Sequence, residues 1–309
     1  MPLALLQPHG RPDRAAYNWV RDAGDGAVLE LPTGDMDREL RAYSYGYETL
    51  FHGHRIVNGA SGYNAPLHAF IGNRASPLFA ERSIGATIDM LRAIGVRTVV
   101  VHPDAFANPS LGASVVTWLR GSGGSRIASE AVFPGISVFR LAEAGHADRP
   151  PPSASDAAPR LRAIKASDFQ ASASAGDDRL PYAFDSDLST RWFTGRPQSG
   201  TEWIDVAFSR PHDVARVELL MAGPSAFDYP RELAVDLIDR TGSPHAAFHA
   251  GVLTELARGL IDDPLRVPIS LTFPPNDTAR IRFRQLGTDE RRYWSVTDIV
   301  LWERTGVPE

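Results

Sequence analysis

The residues best suited to chemistry stand close together in Asp185-Ser186-Asp187-Leu188-Ser189-Thr190. Asp185, Asp187 and Thr190 put hard oxygen atoms into one tight turn, the ligand chemistry that Ca2+ requires. The same residues also suit an Asx-turn with a capped loop and no metal, since Asp side chains accept from backbone amides two residues on. Other constellations are weaker. His52-Gly53-His54 offers two imidazoles, but no third ligand follows at a diagnostic spacing, so ordinary strand or loop histidines are expected. Gly59-Ala60-Ser61-Gly62-Tyr63 approaches a nucleophile elbow, yet Tyr63 occupies the second glycine of G-x-S-x-G, and a glycine-rich turn is the better expectation. Glu30, Asp35, Asp37 and Glu39 could supply paired carboxylates, but the last three lie in a polar stretch that reads as a solvated helix start. There is no G-x-x-x-x-G-K-[ST] and no G-x-G-x-x-G, so nucleotide chemistry has no support. No complete catalytic site is expected.

Composition narrows the classes further. The chain has 309 residues, enough for two domains, and its 43% hydrophobic content lets each bury a core. The formal net charge is −5; residues 1–145 hold 13 basic and 13 acidic side chains, so the excess acidity lies beyond them. No basic patch suited to phosphates is apparent, which argues against nucleic-acid binding. Only Lys165 among the 32 basic residues is a lysine, and with abundant Ala, Gly and Pro this reads as GC-rich bacterial coding. The absence of cysteine excludes disulfides and thiolate metal sites. The opening Met1-Pro2-Leu3-Ala4-Leu5-Leu6 is too short for a signal core, and no run of 18 apolar residues spans a membrane. The chain could still be the soluble piece of a longer membrane protein.

The elements that must position these residues fall into two styles. Residues 1–145 alternate strand and helix patterns, predicting a small α/β layer domain. Strands are expected at 27–31, 56–57, 96–102, 126–133 and 136–141, the last two turning at Pro134-Gly135. A helix over 38–51 would carry Leu40, Tyr43, Tyr47 and Leu50 on one face. A second, capped by Ser83 and stopped by Gly95, carries Ile84, Ile88, Leu91 and Ile94, and a third carries Val115, Val116 and Leu119. Residues 146–160, with Pro150-Pro151-Pro152, predict an interdomain linker. From 161 to 309, short alternating strands at 203–208, 215–221, 233–238, 265–273, 279–284 and 296–302 predict an all-β sandwich with little helix.

The stretch Ala183-Phe184-Asp185-Ser186-Asp187-Leu188-Ser189-Thr190-Arg191-Trp192 resembles the early signature of discoidin, or coagulation-factor type C, domains, a galactose-binding-like family that includes many bacterial carbohydrate-binding modules. The following strands at 203–208 and 214–219 fit the same order, and Tyr293-Trp294-Ser295-Val296-Thr297-Asp298-Ile299 resembles the closing strand. The resemblance runs from about 166 to 303. It implies a jelly-roll sandwich with a structural calcium, whose positions Asp185, Thr190 and Asp298 match. The family has Gly where Ser186 stands and Glu where Asp298 stands. It also implies that Trp192 lies in the core, and the ordinary burial of Trp places Trp203 there too. A sugar-binding rim needs a flat aromatic and a few polar donors. Loop candidates are Phe193, Arg196, Phe227, Tyr229, Arg231, Arg292 and Tyr293, with Arg231 and Tyr293 near positions used in the family; the His and Asn that often complete such sites have no match here.

In the first half, the segment Tyr45 to Tyr63, with the strands near 28 and 99, resembles extracytoplasmic soluble domains of bacterial glycosyltransferase-like membrane proteins. Together these features lead us to expect a non-catalytic, extracytoplasmic carbohydrate-binding chain with a glycan partner. Two other readings stand beside it: an enzyme with a discoidin targeting domain, and a protein-binding adaptor.

Overall fold

The computed structural model describes residues 11–37, 42–58, 65–121, 124–143 and 160–305. Packing divides the chain into two compact units, Met1–Pro150 and Pro151–Glu309.

The first unit is an α/β layer built on a sheet of order β1-β2-β4-β3. Strand β1 (Ala27–Leu31) runs parallel to β2 (Val96–Val101), and β4 (Ile136–Leu141) pairs antiparallel with both β2 and β3 (Ile127–Phe133). Val99, Val100 and Val101 are fully buried, as a run of β-branched residues in a covered central strand should be. Helix α4 (Ile84–Ala93) buries Ile84, Ile88 and Leu91, and α5 (Pro109–Gly121) buries Val115, Val116 and Leu119, in keeping with their helical spacing. Gly95 takes a φ of +90° behind α4, the left-handed turn that favours glycine. Ser83, however, makes no side-chain cap, since its backbone is already helical.

Other expectations are corrected. Helices α1 (Arg11–Asp22) and α3 (Pro66–Gly72) were not expected. The helix predicted over 38–51 is α2 (Ala42–His52), and it is turned differently: Tyr47 and Leu50 are 49% and 75% exposed, whereas Tyr45, Glu48 and His52 are buried. The strand expected at 56–57 is a single parallel bridge between Ile56 and Val28. There the side chain of Asn58 finishes the edge, accepting from the Glu30 amide and donating to its carbonyl. The glycine-rich turn from Gly59, the carboxylate of Glu39 and the linker at 146–159 lie outside the described residues.

The second unit is a β-sandwich. One sheet has the order β11-β10-β13-β8-β6, from Pro244–Ala250, Leu233–Asp239, Thr278–Gln285, Glu202–His212 and Phe169–Ala173. The other is β12-β9-β15-β5, from Pro268–Thr272, Val214–Leu220, Asp298–Arg304 and Leu161–Ala163. Alternation along each strand sends one set of side chains inward. Ile204, Val206, Val235, Ile281 and Phe283 line one inner face, and Val217, Leu219, Ile269 and Leu301 the other, all at most 4% exposed. A short ribbon joins β7 (Trp192–Phe193) to β14 (Ser295–Val296). The unit is less purely β than its pattern suggested: helix α6 (Leu253–Asp262) stands between β11 and β12 and buries Leu253, Leu256, Ala257 and Leu260. The strand expected over 265–273 begins only at Pro268, and Leu265 is 79% exposed. Trp203 is half-buried on the outer face of the sheet, under the Arg282 guanidinium 5.6 Å away, and is not a core residue.

Candidate functional site

The Asp185 turn is held by its own oxygens. Asp185 Oδ1 accepts from the Asp187 amide at 2.9 Å and Oδ2 from the Thr190 hydroxyl at 2.8 Å. Asp187 turns its carboxylate to the Ser189 amide and hydroxyl, which hold its pKa below the usual carboxylate range. Ser186 has φ +61°, the conformation that glycine adopts without steric cost. Its amide donates to Asp298, the first residue of β15. The structure therefore brings Asp185 and Asp298 together across 113 positions of sequence. Asp298 is 3% exposed, and its Oδ1 has no hydrogen-bond partner. Burial, with the negative charge of Asp185 added, pushes its carboxyl up to about 6, against the opposing pull of the Ile299 and Ser186 amides and Arg266. A buried, unpartnered carboxylate oxygen facing a second carboxylate fits a hard cation, which would discharge both. Asp187, fully exposed and committed to Ser189, is the weaker of the expected ligands.

The rim rests on two tryptophans. Trp192 and Trp294 are fully buried, edge to face at 5.0 Å, and Trp192 donates to the Ala175 carbonyl. Their chain neighbours point the other way, so Phe193 and Tyr293 meet outside, stacked at 6.0 Å with rings 25° apart. Tyr293 is 36% exposed. Two residues not anticipated complete this patch: the Arg179 guanidinium lies 4.3 Å and the Arg191 guanidinium 5.2 Å from the Phe193 ring centre. Arg191 donates to Asp228 at 3.0 Å, and Arg292 lies 3.8 Å from the other oxygen of that carboxylate. Gln198, buried, donates to the carbonyls of Tyr229 and Tyr293 and fixes the loop behind them. No spacing in the sequence marks Arg179, Asp228 or Gln198, because they reach the rim from a 3-10 helix (Asp177–Ala183) and two separate loops.

Of the expected rim residues, Phe193, Arg292 and Tyr293 are brought together, and Arg196 is exposed. Tyr229 and Arg231 are not on the rim. Tyr229 is 5% exposed, with Arg231 stacked 3.9 Å from its ring centre. The Arg231 guanidinium is taken up by Asp289 at 2.8 Å and by the carbonyls of Tyr229 and Phe227. Phe227 is half-buried.

In the first unit, Glu30 is fully buried and bonded to His102 at 3.0 Å, with Tyr45 stacked on His102. Burial and the nearby Glu30 and Glu48 raise the Tyr17 hydroxyl pKa far above its usual value. Glu30, Tyr17, Tyr45 and His102 are at most 6% exposed, so this polar knot is closed to a substrate. His52 accepts from the His54 amide, and burial lowers its pKa to about 4. Among the described residues no group of three metal-ligating His, Cys, Asp or Glu side chains occurs, and no helix is long and apolar enough to cross a membrane.

No protein-family model matches the chain, and no curated protein matches it. Solved structures do. A family 32 carbohydrate-binding module of Clostridium perfringens NanJ, in complex with galactose, is 15% identical over 47% of this chain and all of its own, with a TM-score of 0.37. The module CBM32-3 from a family 31 glycoside hydrolase of the same organism is 16% identical over 46% of this chain and 95% of its own, at 0.35. A third C. perfringens module, in complex with GalNAc-β-1,3-galactose, is 10% identical over 45% and 99%, at 0.36.

Proposed function

We propose that the second unit is a carbohydrate-binding module that holds a neutral or weakly charged glycan at the Tyr293 rim. The observation that carries this reading is the exposed Tyr293 ring, braced from behind by Phe193 and fringed by Arg179, Arg191 and Arg292. An aromatic plate covers the apolar face of a sugar ring, while guanidinium donors fix its hydroxyls. Such a shallow site buries little area, so affinity is on the order of micromolar to millimolar. A glycan array on the folded, calcium-loaded chain tests it, followed by titration of Tyr293→Ala, which should lose the hits while melting normally. No binding to any glycan would turn the reading to a protein-binding adaptor.

The same proposal includes a structural Ca2+ held by Asp185, Thr190 and Asp298. The ion would supply positive charge that ties the turn to the closing strand. The first unit is proposed as a non-catalytic companion, in an extracytoplasmic chain attached to a glycan-assembling membrane protein. Its support is the resemblance of residues 28–102, and cell fractionation with the adjoining reading frame tests it.

A further inference from the structure

The outer face of the five-stranded sheet carries a groove of about 720 Å3 that shares no residue with the rim. Strand β13 runs along it. Arg280, Arg282 and Arg284 alternate with the buried Ile281 and Phe283, so all three guanidiniums stand on the outer face. Their cross-strand neighbours differ. Arg282 lies directly between Asp236 of β10 and Asp205 of β8. Asp205 accepts from Arg282 at 2.5 Å, and Asp236 from Arg284 at 2.9 Å, both carboxylates being nearly buried. These two arginines are thus neutralised in place and hold the sheet.

Arg280 lies directly between Ile238 and Ala207, with no acid opposite. Its nearest acid is Asp205 Oδ1, 3.7 Å away, the oxygen left over by Arg282, which bonds Oδ2. Arg280 is 48% exposed at the groove. With its ion pair at 3.7 Å against 2.5 and 2.9 Å for Arg282 and Arg284, Arg280 is the guanidinium of this strand face most open to a ligand. Arg240 adds another cation at the hairpin wall, paired with the exposed Asp277, while Asp239 spends one oxygen on the amides of Thr241 and Ser243. The remaining surface is apolar: Ile238 and Ala207 beside Arg280, with Pro244 at the side.

An anion seat on an apolar floor suits a ligand that offers a charged group and an apolar face together. We infer that this groove binds an acidic saccharide, with its carboxylate or sulfate on Arg280 and a sugar-ring face against Ile238 and its cross-strand neighbour Pro244. Its volume is that of an ordinary small-ligand site, and the planar guanidinium can take such an acid group through two parallel bonds. The inference shares the saccharide chemistry of the proposed module but not its rim, so the two can fail separately.

The test is titration of the full chain with tri-galacturonate and with a neutral galactose-based trisaccharide, on the native protein, Arg280→Ala and Tyr293→Ala, with melting curves for each. Arg280→Gln repeats the groove arm with the side-chain volume nearly kept. Arg280→Ala should weaken the acidic ligand about tenfold, the loss of a charge-assisted pair. Tyr293→Ala should leave it unchanged, and added salt should weaken it. The neutral ligand should show the reverse dependence on the two variants. Acidic binding unaffected by either Arg280 variant, or no binding at all, would overturn the groove. Inorganic tripolyphosphate binding as tightly as the sugar would reduce it to a charged patch. Acidic binding that depends on Arg280, with no neutral binding anywhere, would leave the groove standing and remove the rim.

Discussion

At the scale of single residues, Asp298 makes the sharpest prediction. Burial first, then Asp185, holds its carboxyl up at about 6, above an unfolded value of about 4. Between those values the metal-free folded state keeps a proton that the unfolded chain has released. Its contribution is therefore present below about pH 4 and lost as pH rises through about 6. A cation needs the ionised carboxylate and displaces that proton. Millimolar calcium should then raise the melting temperature little near pH 5 and clearly above pH 7. Asp185→Ala should abolish the shift. Equal shifts at both pH values, or none, would count against the site. Arg231 gives a contrasting case. With its guanidinium bridging Asp289 and two carbonyls, Arg231→Ala should lower stability, whereas Tyr293→Ala should cost binding only. The Glu30–His102 pair belongs here too. His102→Ala leaves the fully buried Glu30 with only its Tyr17 hydrogen bond, and chemical unfolding should show a loss of about 3–5 kcal/mol.

At the scale of elements, the β7–β14 ribbon is what makes a rim of residues a hundred positions apart. Its two strands are only two residues each, too short to hold together by their ladder alone. The buried Trp192–Trp294 pair supplies the packing. Trp192→Ala should destabilise the second unit by about 3–5 kcal/mol in denaturant titration, and any loss of sugar binding should follow the loss of fold. A variant that stayed equally stable but lost binding would mean that Trp192 contacts ligand directly. Elements also show where pattern reading succeeds and fails. Helix α4 was legible because Ile84, Ile88 and Leu91 repeat at helical spacing. Helix α6 carries an equally readable repeat at Leu253, Leu256, Ala257 and Leu260, but it lies between the strands expected at 233–238 and 265–273, where no element was expected. Helix α2 was read with the wrong face inward, because its buried side is polar: Glu48 and His52 pack inside while Leu50 is exposed.

At the scale of the whole molecule, the chain divides into two units with separate cores. A fragment beginning at residue 160 should fold alone, unfold in one cooperative transition, and keep the calcium response and the glycan binding of the full chain. Aggregation of that fragment, or a melting point far below the second-unit transition of the full chain, would show that the units depend on each other. The resemblance implied the burial of Trp192. The sequence by itself determined where the main strands of the second unit lie along the chain and the oxygen-rich turn at Asp185. Those follow from side-chain period and local turn chemistry, which act over a few residues. Only the tertiary structure decided that Asp298 sits against that turn with an unpartnered oxygen, that Tyr229 and Arg231 are internal, and that Arg280 has the loosest ion pair of its ladder. Each of these depends on strand register and loop packing between distant segments, and register leaves no mark in the spacing of any one segment.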